Sequence, residues 1–254
     1  MLPPFVTARW LAEHRDSVVV ALVRRGPEDP EPVPGAVAVE LEGVLSGPSS
    51  AETGRHPLPD PAVFAAGLSG VGIGDDSTVV AYDVAGGVFA ARLVWMLRAV
   101  GVPAALLDGG PPPTAEAGPD APTVLTPRPW PVDRLSDLLN GPDGADVILD
   151  ARPRERFLGA PDPLDPRPGH VPGALPLPAR ENLHGDGRLL PEEVLAQRFA
   201  DAGVVPGAAV VAYCGSGITA CHTLLVLEQL GLGPGRLYPG SWSQYGALRP
   251  EEVG

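Results

Sequence analysis

The tetrapeptide Val-Val-Ala-Tyr occurs twice in this chain, once ending at Tyr82 and once at Tyr213. The match continues beyond the tetrapeptides. A loop of small residues comes next in each copy, then an apolar segment of helix length that closes at Gly101 in the first copy and Gly231 in the second. Leu107-Asp108-Gly109-Gly110 mirrors Leu237-Tyr238-Pro239-Gly240, and Pro34-Gly35-Ala36 matches Pro172-Gly173-Ala174. A repeat of about 130 residues is too long for a solenoid and right for two tandem domains. Short apolar runs alternating with helical segments predict an α/β fold, each domain having a mainly parallel central sheet flanked by helices. The first domain is expected over residues 1–118 and the second over 132–254. Residues 119–131 fall in the proline-rich stretch from Pro111 to Pro131, which has neither helical nor strand periodicity and reads as a stiff linker.

Within the two domains, Thr7 to His14 reads as a capped helix and Ser17 to Arg24 as a strand. Pro57 to Leu68 reads as a turn and a helix. In the second half, Val132 to Leu139 is expected as a short helix, Asp146 to Asp150 as a strand and Pro191 to Ala202 as a helix.

Charge and cysteine usage narrow the function. With 18 Lys and Arg against 31 Asp and Glu, the net charge is −13, which argues against nucleic acid or an anionic membrane as the main partner. No run of 18 apolar residues occurs, so no membrane span is expected. The start of the chain lacks a basic segment followed by an apolar stretch, and the two cysteines make no disulfide framework. A reducing, cytoplasmic setting is therefore expected.

The two copies part at one chemically decisive position. Tyr213 is followed by Cys214, Tyr82 by Asp83. After Cys214 come Gly215, Ser216, Gly217, Ile218 and Thr219, with the helix expected to open at Ala220. Backbone N–H groups of such a loop and the positive end of a helix form a cradle for an anion. They also favour a thiolate over a thiol, which makes Cys214 a candidate nucleophile. A carboxylate at Asp83 can carry no sulfur and would repel an anionic substrate from the same cradle. A metal site built from Cys214, Cys221 and His222 lacks a fourth ligand, and no metal or cofactor is expected.

These residues resemble the rhodanese superfamily. Cys-Gly-Ser-Gly-Ile-Thr is similar to the active-site loop of its 3-mercaptopyruvate sulfurtransferases. Ile148-Leu149-Asp150-Ala151-Arg152, Arg156-Phe157-Leu158-Gly159, Gly169-His170-Val171-Pro172-Gly173-Ala174 and Tyr238-Pro239-Gly240-Ser241-Trp242 look like family motifs in the family order. The resemblance implies two tandem rhodanese-like domains, the first inactive and walling the cleft of the second. It implies transfer of a sulfane sulfur from a small anionic donor, through a Cys214 persulfide, to a thiol acceptor such as thioredoxin or to cyanide. The neutral Gly215-Ser216 pair resembles the mercaptopyruvate type, and thiosulfate is the alternative donor. A non-catalytic sulfur-carrier module is a further alternative.

The resemblance also implies roles for single residues. Arg156 would grip the donor's carboxylate, and Arg167 stands nearest to a second arginine that some members carry before Gly-His. Asp150, Arg152 and His170 are expected to shape loops rather than to react. Some members use a relay through the loop serine, with a histidine in the first domain's Gly-His-x-Pro-Gly motif. Pro32 stands there in this chain, so the relay is either absent or supplied by another group. Phosphatases of this fold carry an arginine where Ala220 stands, and without it a phosphoryl group has no clamp.

Overall fold

The computed structural model describes residues 2–112, 114 and 123–249. It groups them into two compact units. The expected end of the first domain at residue 118 and the start of the linker at 119 lie outside the described residues.

In the first unit β1 (Phe5–Thr7) leads into helix α1 (Ala8–His14), whose first turn is capped by the Thr7 hydroxyl accepting from Trp10 N–H. Strands β2 (Val19–Arg24) and β3 (Val37–Glu40) come next, then a short turn α2 (Leu41–Val44) and helix α3 (Pro61–Ser69). Strand β4 (Val79–Tyr82) feeds α4 (Ala90–Ala99), and β5 (Ala104–Asp108) completes a parallel sheet of order β1-β5-β4-β2-β3. Parallel sheets are covered on both faces, so their strands are apolar throughout rather than alternating. All of β4 is buried accordingly.

The second unit repeats the plan. Strand β6 (Val147–Asp150), helix α5 (Arg154–Phe157) and β7 (Leu175–Pro176) precede α6 (Glu192–Asp201). Then come β8 (Val210–Tyr213), α7 (Thr219–Gln229), β9 (Arg236–Leu237) and α8 (Ser241–Leu248). Its parallel sheet has the order β7-β6-β8-β9. Helices α4 and α7 are buried on every side over Ala90–Leu97 and Ala220–Leu227. A helix inside a protein is mostly apolar all round, and here the exceptions are the fully buried Arg92 in α4 and His222 and Thr223 in α7.

The duplication extends to hydrogen bonds. Tyr82 Oη accepts from Val33 N–H at 3.1 Å, and Tyr213 Oη accepts from Val171 N–H at 3.1 Å. In each copy the adjoining turn closes with the alanine N–H on the valine carbonyl: Ala36 on Val33 and Ala174 on Val171, both at 3.0 Å. Residues 48–57, from the first half of the chain, pack as part of the second unit, and residues 184–189 pack as part of the first.

Two expectations are corrected. Val132 to Leu139 is not a helix but two 3-10 turns, Val132–Arg134 and Leu138–Asn140. Between them Leu135 bridges Leu237, and Ser136 N–H donates to Leu237 C=O at 2.9 Å, so the segment is pulled straight alongside β9. Helix α7 begins at Thr219 rather than Ala220, and the Tyr238 to Trp242 motif leads from β9 into α8, which opens at Ser241.

Candidate active site

Strand β8 delivers Cys214 to the start of the loop, where it is 2% exposed. Helix α8 fixes its backbone. Cys214 N–H donates to Ser241 Oγ at 3.1 Å, Trp242 N–H donates to Cys214 C=O at 2.9 Å, and Ser243 N–H donates to Gly215 C=O at 2.9 Å. The loop then curls back over the sulfur, with Gly217 N–H 3.1 Å from Sγ. The turn needs glycine at 217: φ is +79°, and a Cβ there would lie 2.6 Å from the Pro239 carbonyl oxygen.

The first unit shows what such a loop binds. The Asp83 carboxylate accepts four backbone N–H groups, from Ala85, Gly87, Phe89 and Ala90, at 2.6–2.8 Å. The duplicated loop is thus a nest of donors converging on the end of its strand, and in the first copy a built-in anion fills it.

Segment 48–57 brings two polar side chains to the second unit's loop. Ser50 and Gly54 close a small hairpin through paired backbone bonds at 3.2 and 2.9 Å. Gly54 has φ +84°, and a Cβ there would stand 2.5 Å from the Gly240 carbonyl oxygen. Arg55 N–H donates to Ser243 Oγ at 3.0 Å, and Gln244 Nε2 donates to the Glu52 carbonyl. So held, His56 Nδ1 lies 2.7 Å from Ser216 Oγ. The serine therefore has a histidine partner, from a position other than the one Pro32 occupies. Two guanidinium groups close over Gly215: a Cβ added there would lie 2.9 Å from Arg55 Nη2 and 3.1 Å from Arg156 Nη2.

The arginines differ in their surroundings. Arg156 is tied to Asp165 by two bonds of 2.9 and 2.5 Å, with Asp162 at 3.4 Å. Asp165 in turn contacts Arg152 at 3.2 Å. Arg152 is fully buried on Asp150, with bonds as short as 2.7 Å, and it also donates to the Gly169 carbonyl at 2.7 Å. Burial works against the Arg152 charge, but the hydrogen bond and charge of Asp150 outweigh it and raise its proton affinity. Burial is the largest influence on Arg55 and lowers its proton affinity; Asp165 and Cys214 oppose this, and Arg156 reinforces it.

Arg167 is turned away from the role expected of it. Its guanidinium donates to the carbonyls of Gly246 and Arg249 at 3.0 and 2.5 Å and lies over the Trp242 ring. The loop before Gly169 folds onto α8, and that fold commits Arg167 to the helix end. His170 stacks on Phe157 and its Nδ1 is 2.9 Å from the Phe157 carbonyl, a packing contact that holds the turn. Arg55 and His56 were not among the candidate residues. Their one sequence signal is an Arg-His pair between Gly54 and Pro57, where a plain turn needs neither side chain.

A cysteine at the end of a parallel strand, a donor-lined loop and a buried helix behind it define a rhodanese-type unit. A family model for the rhodanese-like domain matches residues 132–248. A relative in Pseudomonas aeruginosa, provisionally named a 3-mercaptopyruvate sulfurtransferase, is 42% identical over 84% of this chain and 80% of its own. One in Mycobacterium tuberculosis, provisionally named a thiosulfate sulfurtransferase, is 37% identical over 87% of this chain and 82% of its own. The solved structure of 3-mercaptopyruvate sulfurtransferase from Leishmania major superposes with a TM-score of 0.83 at 29% identity, covering 98% of this chain and 75% of that one. The chain belongs to the tandem-domain sulfurtransferases of the rhodanese superfamily.

Proposed function

We propose that the protein transfers the sulfur of 3-mercaptopyruvate to a thiol acceptor, through a persulfide on Cys214. The Cys214 thiolate attacks the donor's sulfur. A sulfur–sulfur bond forms, the carbon–sulfur bond breaks, and its electron pair leaves on C3 as the enolate of pyruvate. The proton lost when the terminal persulfide sulfur ionises balances the one that C3 must gain. The N–H groups of Gly215 to Thr219 then face the persulfide's negative charge. A thiol takes the outer sulfur in the second half of a double displacement, and a small dithiol protein of the thioredoxin kind suits that role.

The observation that carries the choice of donor is the 2.7 Å contact between His56 and Ser216, two residues from the nucleophile. Breaking a carbon–sulfur bond leaves a carbanion that needs a proton, and this pair is a path for one. Thiosulfate releases sulfite, which needs none. The alternative donor would leave the Ser216–His56 pair with no part in the chemistry.

The test is turnover with both donors, each with a dithiol and with cyanide, in the wild type and in Ser216→Ala and His56→Ala. Wild-type kcat/KM is expected to favour 3-mercaptopyruvate. Both variants should lose roughly a hundredfold with 3-mercaptopyruvate, the usual worth of a positioned acid or base, and little with thiosulfate. Equal losses with both donors would remove the proton path. A wild type that prefers thiosulfate would favour the alternative donor.

A further inference from the structure

Ser243, in the first turn of α8, holds two parts of the site at once. Its N–H donates to the Gly215 carbonyl at 2.9 Å, so it grips the loop one residue before Ser216. Its hydroxyl accepts Arg55 N–H at 3.0 Å, so it grips segment 48–57 one residue before His56. The hydroxyl proton goes to the Gly240 carbonyl at 3.0 Å, which leaves the oxygen lone pairs to accept. Gly54 lets the chain come this close, since a Cβ there would lie 2.9 Å from Ser243 Oγ. A serine in a helix often bonds back to a carbonyl of the preceding turn, and that local role needs no distant partner. Here the same oxygen also ties down a residue 188 positions away in sequence. The residue is 7% exposed, so water is a poor substitute for that bond.

We infer that Ser243 is a positioning residue for the reaction: its hydroxyl sets the distance between Ser216 and His56 and so keeps their proton path closed. The inference rests on the reading of that pair as a proton path. The connection is short. From the Gly215 carbonyl to the Arg55 N–H, one residue spans the gap that the 2.7 Å contact of His56 Nδ1 with Ser216 Oγ closes one residue farther on. A proton passes between two such atoms only within hydrogen-bond reach, and a displacement of about 1 Å takes this contact beyond it. Gln244 holds the same segment at a second place. Its Nε2 donates to the Glu52 carbonyl, and its Oε1 accepts from Tyr238 Oη at 2.7 Å. Glu52 lies in the hairpin itself, so loss of the Ser243 hydroxyl frees the end that carries His56 and leaves the segment attached.

The experiment measures kcat/KM for 3-mercaptopyruvate and for thiosulfate, which in a double displacement reports the donor half-reaction. The variants are Ser243→Ala, Ser243→Thr, His56→Ala and the double variant of Ser243→Ala with His56→Ala. Sulfite leaves without needing a proton, so thiosulfate turnover also reports a folded protein with a reactive Cys214. Ser243→Ala should lose about tenfold with 3-mercaptopyruvate and stay within about threefold with thiosulfate. Ser243→Thr keeps the hydroxyl and should recover most of the loss. In the His56→Ala background, Ser243→Ala should cost less than about twofold more, because the group it positions is gone. Gly54→Ala pushes the segment off the same hydroxyl and is the second variant should Ser243→Ala not fold; it should show the same donor-selective loss. An unchanged Ser243→Ala, equal losses with both donors, or an undiminished loss on top of His56→Ala would overturn the inference and leave the proton path standing. A His56→Ala variant with no selective loss would overturn the proton path and the inference with it.

Discussion

Asp83 and Cys214 end equivalent strands, and the choice between these side chains decides what the loop beyond can hold. The Asp83 carboxylate saturates its own loop with four N–H bonds, so nothing else can enter. Cys214 takes one loop N–H at Sγ and leaves an anion room to form. Asp83→Ala would orphan four donors at a buried strand end. With each unsatisfied buried group costing on the order of 1 kcal/mol or more, the variant should lose at least about 3 kcal/mol in stability. Denaturant unfolding checks this, and a change below about 1 kcal/mol would mean that water replaces the carboxylate without loss. The nucleophile and its loop were legible because a strand, small residues and an apolar helix adjoin in sequence. His56 was not, since its partner Ser216 lies 160 positions away and only the fold brings them together. Arg167 misled for the same reason: nearness to Gly-His in sequence says nothing of the α8 carbonyls that hold it.

Among the elements, the strands and the two buried helices were readable from apolar runs, which reflect burial on every side. The segment Val132 to Leu139 was not, because its straight middle depends on pairing with β9 and leaves no local trace. Helix α7 carries a second consequence of total burial. His222 lies wholly inside it, and burial, with the charge of Arg180 a smaller cause, pushes its pKa down to about 4. The unfolded chain takes up that proton near pH 6.5, while the folded one refuses it until about pH 4. Between those limits unfolding binds a proton, so His222 destabilises the fold as pH falls through this window and adds no further slope below it. The loss should be on the order of 3 kcal/mol. Denaturant unfolding at stepped pH checks it: His222→Gln should flatten the slope between pH 6.5 and 4, and an unchanged slope would mean other groups set it.

For the molecule as a whole, a duplicated plan now serves two ends. One copy has closed its anion cradle with its own carboxylate; the other keeps the cradle open and gathers Arg55 and Arg156 beside it. Arg156 there is paired with Asp165 and Asp162, and the chain as a whole has a net charge of −13, so any attraction of a small anion to this loop would act at short range rather than by steering from afar. The most direct test is intact-mass and peptide mass spectrometry after a stoichiometric amount of 3-mercaptopyruvate is added without acceptor. One extra sulfur atom should appear on Cys214, leave when cyanide or a dithiol is added, and be missing in Cys214→Ser. A protein that gains no sulfur, or that carries it on Cys221, would contradict a Cys214 persulfide.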